Sequence, residues 1–189
     1  MQIVHFYQDL PTLETPRLML RPITLDDVLD IFAYASDAEV TRYLRWGPHQ
    51  TLAQTESYVC GVLQEYAEDR DGPWGIVDKI TNRLVGHIHL MALSAQHHKA
   101  EIGFVLVQSC WDNGLATEAL RRVLAYVFGT LDLHRVEGFS LVDNGAAMRV
   151  MEKAGMQKEG VLRDYLFQKG EFRDFAVYAV LQHEFKWVG

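Results

Sequence analysis

The chain has 189 residues, enough for one domain with a substantial core and too few for two comfortable ones, so residues 1–189 read as a single domain. With 49% apolar and 23% charged residues it has ordinary globular composition, which excludes disordered and fibrous classes. A formal net charge of −7 provides no basic footprint for nucleic acid and leaves room for a cationic ligand.

In chain order, the opening MQIVHFYQDL lacks the basic and then apolar pattern of a secretion leader. No apolar run approaches the roughly 20 residues of a membrane span. The expected compartment is the cytoplasm, with no membrane partner. Leu18 and Leu20 alternate with Met19 and Arg21 in TPRLMLRPIT, which predicts a first strand. Thr24 and Asp27 form a capping-box pattern before Val28, Ile31, Phe32 and Ala35 at helical spacing. Thr51 and Gln54 repeat the device before Leu52, Val59, Leu63 and Tyr66. The loop RYLRWGPH, with Trp46, Gly47 and Pro48, separates these helices.

Strands are predicted around 74–78, 84–92 and 99–107. A helix follows over 114–128, where Leu115, Ala119, Leu120, Val123, Leu124 and Val127 face one way and Glu118, Arg121 and Arg122 another. HRVEGFSLV reads as the next strand. A helix over 144–154 turns Ala147, Val150, Met151 and Ala154 inward, with Gly155 as its stop. The tail reads as a hairpin, VLRDYLFQ and EFRDFAVYAVLQ around Lys169-Gly170. This order of strand, two helices, three strands, helix, strand, helix and hairpin is α+β, with a βαβ unit at its centre.

The chemistry concentrates at CWDNGLATEA, which opens the helix after the strand AEIGFVLV. A helix N-terminus presents unpaired N–H groups and the positive end of the dipole, and so suits an anion. Gly114 and Ala116 allow close approach, while Asn113 and Thr117 add side-chain hydrogen bonding; a plain turn before an amphipathic helix is the alternative. No Gly-Lys-Ser/Thr or Gly-x-Gly-x-x-Gly pattern is present, so the motif is neither a P-loop nor a dinucleotide fingerprint. On the preceding strand Ala100, Ile102, Phe104 and Leu106 form a core face. Glu101, Gly103, Val105 and Val107 share the other, a carboxylate on a largely apolar surface that suggests a covered pocket.

AEIGFVLVQSCWDNGLATEALRRVLAYVF and LHRVEGFSLVDNGAAMRVMEKAGM together resemble the GNAT superfamily of acyl-CoA-dependent N-acetyltransferases, and within it the RimJ/RimL-like ribosomal-protein N-terminal acetyltransferases. The resemblance runs from ETPRLMLRPIT to YAVLQHEF. It implies a mixed, mostly antiparallel twisted sheet of six to seven strands flanked by helices, with a splayed parallel pair forming an acyl-CoA gap. It also implies acetyl-CoA as co-substrate and an amine acceptor, a protein N-terminus or a small molecule, with a homodimer in keeping with the family. Trp111, Gly114 and Ala116 match the pyrophosphate motif, so that Asn113, Gly114, Leu115, Ala116 and Thr117 would hold coenzyme A. Leu106 and Val107 would pair with its pantetheine, and Asn144 matches the asparagine at the far lip. The chain departs from the pattern at Asp112, where glycine is usual, at Ala147, where serine is frequent, and at Met151, where many members carry a tyrosine acid. Tyr165 is a candidate substitute. The missing tyrosine at Met151 and the missing serine at Ala147 keep a non-catalytic acyl-CoA-binding module as the alternative.

Acyl transfer to an amine requires proton removal, a polarised carbonyl and proximity. A carboxylate in partly apolar surroundings makes a better base. Glu101 fits that role by position and by the resemblance, and a salt bridge to Lys99 or a helix arginine is the structural alternative. An N–H near Val107 is a candidate oxyanion donor. His87 and His89 share a strand face, but no third ligand of suitable spacing is evident, so no metal is expected and His89 is assigned to the acceptor groove. Trp46, Trp74 and Tyr165 contact the acceptor or simply pack; Trp46 and Tyr165 join the acceptor-binding set. Arg135 and Asp174 are expected to hold strand ends. Cys60 and Cys110 have no paired spacing, so no disulfide is expected.

Overall fold

The computed structural model describes residues 6–186; residues 1–5, part of the stretch read above for a leader, and residues 187–189 lie outside the described residues. Chain order is β1 (Leu13–Glu14), β2 (Leu18–Pro22), α1 (Val28–Ala35), α2 (Ala38–Thr41), α3 (Leu52–Ala67), β3 (Pro73–Asp78), β4 (Arg83–Ser94), β5 (Lys99–Leu106), α4 (Leu115–Gly129), β6 (Arg135–Leu141), α5 (Gly145–Ala154), β7 (Gln157–Gln168) and β8 (Glu171–Leu181). Among the described residues the strands form one sheet in the order β1-β2-β3-β4-β5-β6-β8-β7, antiparallel everywhere except at β5–β6.

The sheet therefore has eight strands where six to seven were expected. The extra one is β1, a two-residue pairing of Leu13 with Leu20 and Glu14 with Met19 that is too short to leave a periodic signal. The other addition is α2, a single turn capped by the Asp37 carboxylate, which accepts from the Glu39 N–H at 2.8 Å. The capping box at Thr24 forms as expected. Asp27 accepts from the Thr24 N–H at 2.8 Å and from Arg21 through both guanidinium nitrogens. At the start of α3 the Thr51 hydroxyl caps Gln54, but the Gln54 side chain accepts from the N–H of Gln50, one residue earlier than a capping box requires.

Two apolar layers hold the sheet. On one face α1 and α3 pack Ile31, Tyr34, Val59 and Val62 against Ile23, Val77, Leu84 and Val105. On the other, the stripe of α4 (Leu115, Ala119, Leu120, Val123, Leu124 and Val127) is fully buried against Leu18, Ile88, Ile102 and Val136, as its spacing required. Trp74, considered above as an acceptor contact, belongs to this core: its ring is 0% exposed and its indole N–H donates to Pro11 O. No helix among the described residues is long and apolar enough to cross a membrane.

The tail hairpin turns at Lys169 and Gly170, both at positive φ, the pattern of a tight two-residue hairpin turn. Its tip does not hang free. Gln168 Nε2 donates to Leu44 O at 2.8 Å, and Lys169 Nζ donates to Thr41 O at 2.7 Å and Arg42 O at 3.1 Å. These bonds join the hairpin to the end of α2 and the loop after it.

Gly86 lies opposite Leu106 across β4–β5, and a side-chain carbon there would sit 2.1 Å from the Val105 carbonyl oxygen. Backbone would have to move, so Gly86→Ala should cost at least the ~1–3 kcal/mol typical of overpacking. A lower urea midpoint at unchanged slope is the expected result; an unchanged midpoint would mean that the ladder has slack at this rung.

Candidate active site

The parallel pairing of β5 with β6 lasts three rungs, Lys99 with Arg135, Ala100 with Val136 and Glu101 with Glu137. Beyond them β5 stays with β4 as far as Leu106–Gly86, and β6 stays with β8 as far as Leu141–Phe175. The two half-sheets part and a gap opens after Glu101. Val107 donates its N–H to Val85 O at 2.8 Å. By the alternation of an antiparallel ladder, Val105, Gly103 and Glu101 turn their backbone groups the same way, towards β4, and Phe104 and Leu106 turn theirs into the gap. Leu106 O is taken by the Trp111 indole N–H at 2.9 Å. The Phe104 amide group and the Leu106 N–H remain, a strand edge that no strand covers among the described residues.

The N-terminus of α4 stands beside this gap. The chain reaches it through Asp112 and Gly114, both at positive φ, and at Gly114 (φ +75) only glycine is free of strain. No side chain caps α4, whereas α3 and α5 are capped by Thr51 and Asn144. The first N–H groups of α4, at residues 115–117, thus have no hydrogen-bond partner among the described residues. Arg17, whose role the sequence did not reveal, braces the turn: it donates to Asn113 O at 2.9 Å and to Glu118 at 2.6 Å, and Glu118 also accepts from Thr15 at 2.6 Å. Burial would raise the Glu118 pKa, but these donors outweigh it and hold the carboxyl below its ordinary value. On the opposite lip Asn144 Oδ1 accepts from the Ala147 N–H at 3.1 Å. Burial pushes the Cys110 thiol up, so on this loop it packs as a neutral group.

Glu101 sits at the fork on the face turned to α1 and α3. Its rung partner on that face is Glu137, a second carboxylate that the sequence reading passed over. Lys99 Nζ and Arg135 Nε bind Glu137 at 3.1 and 2.8 Å, and Arg135 also grips Glu159. Burial would raise the Glu137 pKa, and these two cations more than offset it, so the carboxyl titrates below its ordinary range. The salt bridge considered for Glu101 is thus made by its neighbour, and Glu101 has no ion pair among the described residues. Arg135 does hold a strand end. Asp174 accepts from the Asp164 N–H at 2.8 Å, where a register shift in β7 and φ +49 at Asp164 mark a bulge. The bulge aims Tyr165 onto Phe139 of β6, ring on ring at 5.9 Å and 11°.

His87 and His89 lie on the same sheet face but serve different partners. Tyr34 Oη is hydrogen-bonded to His87 Nδ1 at 2.8 Å, and His89 Nε2 to Asp71 at 2.6 Å. Among the described residues no three His, Cys, Asp or Glu side chains are placed to hold a metal ion together. Trp46 stands over this face from the loop after α2, its ring 5.2 Å from that of His49. The fold therefore gathers the candidates into two groups. Leu106, Asn113, Gly114, Leu115, Ala116, Thr117 and Asn144 flank the gap, and Glu101, His89, Trp46 and Tyr165 lie on the α1/α3 face. Val107 stands at the end of the gap with its N–H spent on Val85, so it has no N–H left to offer an oxyanion. Met151 is 2% exposed, its sulfur packed over Gly138, and has no proton to give.

The family described as "Acetyltransferase (GNAT) domain" matches residues 17–157. The chain is similar to the protein named "Uncharacterized N-acetyltransferase YoaA" of Bacillus subtilis (strain 168), 40% identical over 172 residues, 91% of this chain and 97% of that protein. It is similar at 24% identity to "Spermidine N(1)-acetyltransferase" of Vibrio cholerae, over 89% of this chain and 95% of that one. Among solved structures, the "acetyltransferase (GNAT family) from Bacillus anthracis" matches with a TM-score of 0.83 and 28% identity, covering 92% of this chain and all of that one.

Asn144→Ala removes an observed cap. It should lower unfolding free energy by about 1 kcal/mol, the usual cost of such a loss, measured by chemical denaturation without ligand. No loss would mean that water replaces the side chain at no cost.

Proposed function

Because this chain belongs to the GNAT acetyltransferase family, we propose that it transfers the acetyl group of acetyl-CoA to a primary amine by direct attack on the thioester. The acceptor is a protein N-terminus, as in the RimJ/RimL-like branch, or a small-molecule amine. The observation that carries this reading is the gap itself, with free strand-edge groups at Phe104 and Leu106, an uncapped helix N-terminus beside it and Glu101 at its closed end. Extended pantetheine amides suit that edge by strand addition, and a pyrophosphate suits the N–H groups of residues 115–117. Asn144 keeps its Nδ2 for the pantetheine while Oδ1 caps α5.

When bound, acetyl-CoA supplies an acyl thioester that is open to attack by a free amine. The protein's part is to hold the amine and move protons. Glu101, with no ion pair to hold it among the described residues, takes the proton from the acceptor ammonium, directly or through a water. The half-exposed Tyr165 hydroxyl returns a proton to the departing thiolate, a task Met151 cannot perform. His89, fixed by Asp71, and Trp46 position the acceptor. The second reading, an acyl-CoA-binding module without turnover, rests on Met151 and Ala147, and binding without thiol release across an amine panel would favour it.

Gly114→Glu places a carboxylate and a strained residue at the anion site. By calorimetry it should weaken coenzyme A binding tenfold or more, with an intact fold by circular dichroism, and Asn144→Ala should weaken it less. Wild-type affinity in Gly114→Glu would locate the pyrophosphate elsewhere.

Glu101→Gln keeps shape and removes basicity. Acetyl-CoA affinity should be nearly unchanged and turnover should fall at least tenfold near neutral pH, the lower side of a lost general base. The deficit should shrink at high pH, where the amine is already deprotonated. Turnover equal to wild type at every pH would make Glu101 structural, and a deficit that persists at high pH would assign it to acceptor binding or to polarising a water.

A further inference from the structure

Between α1, α3 and β4 lies a cavity of about 200 Å³. Ile31 and Ala35 line it from α1, Tyr58 from α3, and Trp46 from the loop that the hairpin tip pins in place. Among the described residues no Asp, Glu, Lys or Arg lines it. Two hydrogen bonds tie its polar lining: Tyr34 Oη with His87 Nδ1 at 2.8 Å, and His49 Nδ1 with Thr55 Oγ1, outside the lining, at 2.8 Å. Burial pushes His87 down to about 3, with His89 adding to the shift, and burial also lowers His49. Burial pushes Tyr58 up to about 12. The lining thus carries no charge near neutral pH. The acids Asp27, Asp71 and Glu101 lie outside the lining; Asp27 is paired with Arg21, and Asp71 is hydrogen-bonded to His89.

The cavity is close to the fork. His87 on its wall is the rung partner of Val105, on the face that also bears Gly103 and Glu101, and the other edge of β5 is the gap. A group lodged beside His87 is one strand, roughly 5 Å, from the gap edge.

We infer that this cavity sets the acceptor class: it takes the compact uncharged group, phenyl or branched alkyl, of a primary amine whose nitrogen reaches the gap. The size agrees, since an engineered apolar cavity of about 150 Å³ holds benzene. A second ammonium would enter a space whose lining offers no carboxylate to pair it, and burying an unpaired charge is strongly unfavourable. Polyamines are therefore poor acceptors for this chain, although a relative at 24% identity is named for spermidine. The shared chemistry, an apolar group a few bonds from an amine, occurs in free amines and in peptides that begin with Phe or Leu.

This inference rests on the acetyl-transfer reading, and its test separates the two. Thiol release from saturating acetyl-CoA is measured with 2-phenylethylamine, 3-methylbutylamine, ethylamine, spermidine, and tetrapeptides beginning with Phe, Leu or Ser. In parallel, calorimetry follows 2-phenylethylamine binding to the coenzyme A-loaded protein. The apolar amines or the Phe and Leu peptides should exceed ethylamine, spermidine and the Ser peptide at least tenfold in kcat/KM; which of the two groups leads identifies the source. Ala35→Leu fills the cavity and should lower the 2-phenylethylamine to ethylamine ratio at least tenfold, with coenzyme A affinity unchanged. Should that variant not fold, Trp46→Ala enlarges the cavity and should move the preference to naphthyl-bearing amines. Binding of 2-phenylethylamine without thiol release from any amine would defeat the transfer reading and leave the cavity's selectivity standing. A preference for spermidine, or the same ratio in both variants, would overturn the inference.

Discussion

Everything at this site depends on two half-sheets that agree for three rungs and then part. β4 holds β5 along most of its length, and β8 holds β6 along all of its length, so each strand already has a full partner when the parallel pairing ends. The closed end is fastened by charge, with Lys99 and Arg135 on Glu137. It is also fastened by packing, since Met151 and Met156 fill the space over Gly138 and bind β6 to α5. The open end is held apart by the loop over residues 107–114, which folds back through Trp111 onto Leu106 and leads into α4. A strand edge that would ordinarily be a liability is thereby confined between two lips and exposed for a few residues only.

The division of labour between the carboxylates follows from the same fork. Glu101 and Glu137 are neighbours on one rung, and side-by-side like charges on a sheet repel. Two cations settle the matter by binding Glu137, which leaves Glu101 without an ion pair among the described residues. The fork thus carries one acid that holds the strands together beside another that takes no part in holding them. Asp174 plays a comparable structural part at a distance: by accepting from Asp164 it stabilises the bulge that brings Tyr165 over Phe139.

Much of this was legible in the chain because it is written in local chemistry. Gly114 and Gly155 stand at the positive-φ positions that helix boundaries require, Thr24 and Asp27 cap a turn, and the stripe from Leu115 to Val127 needs a core. What could not be read depends on register or on distant partners. Glu137 became relevant only through its rung with Glu101, and a parallel register leaves no mark in either strand. Arg17 braces a turn 96 residues away, and Gln168 reaches a carbonyl 124 residues back. Met151 was visible as a departure from the family, but its place under the sheet, beyond reach of the acceptor face, came from packing. β1 was missed because two residues carry no period.

The central claim is that the gap between β5 and β6, continued by the start of α4, is where coenzyme A lies. Amide hydrogen exchange with and without coenzyme A tests it most directly. The account predicts new protection at Phe104 and Leu106 and at residues 115–117, with little change at Val105 or Val107, whose N–H groups already face β4. Protection absent from these amides, or gained instead around the cavity between α1 and α3, would contradict it.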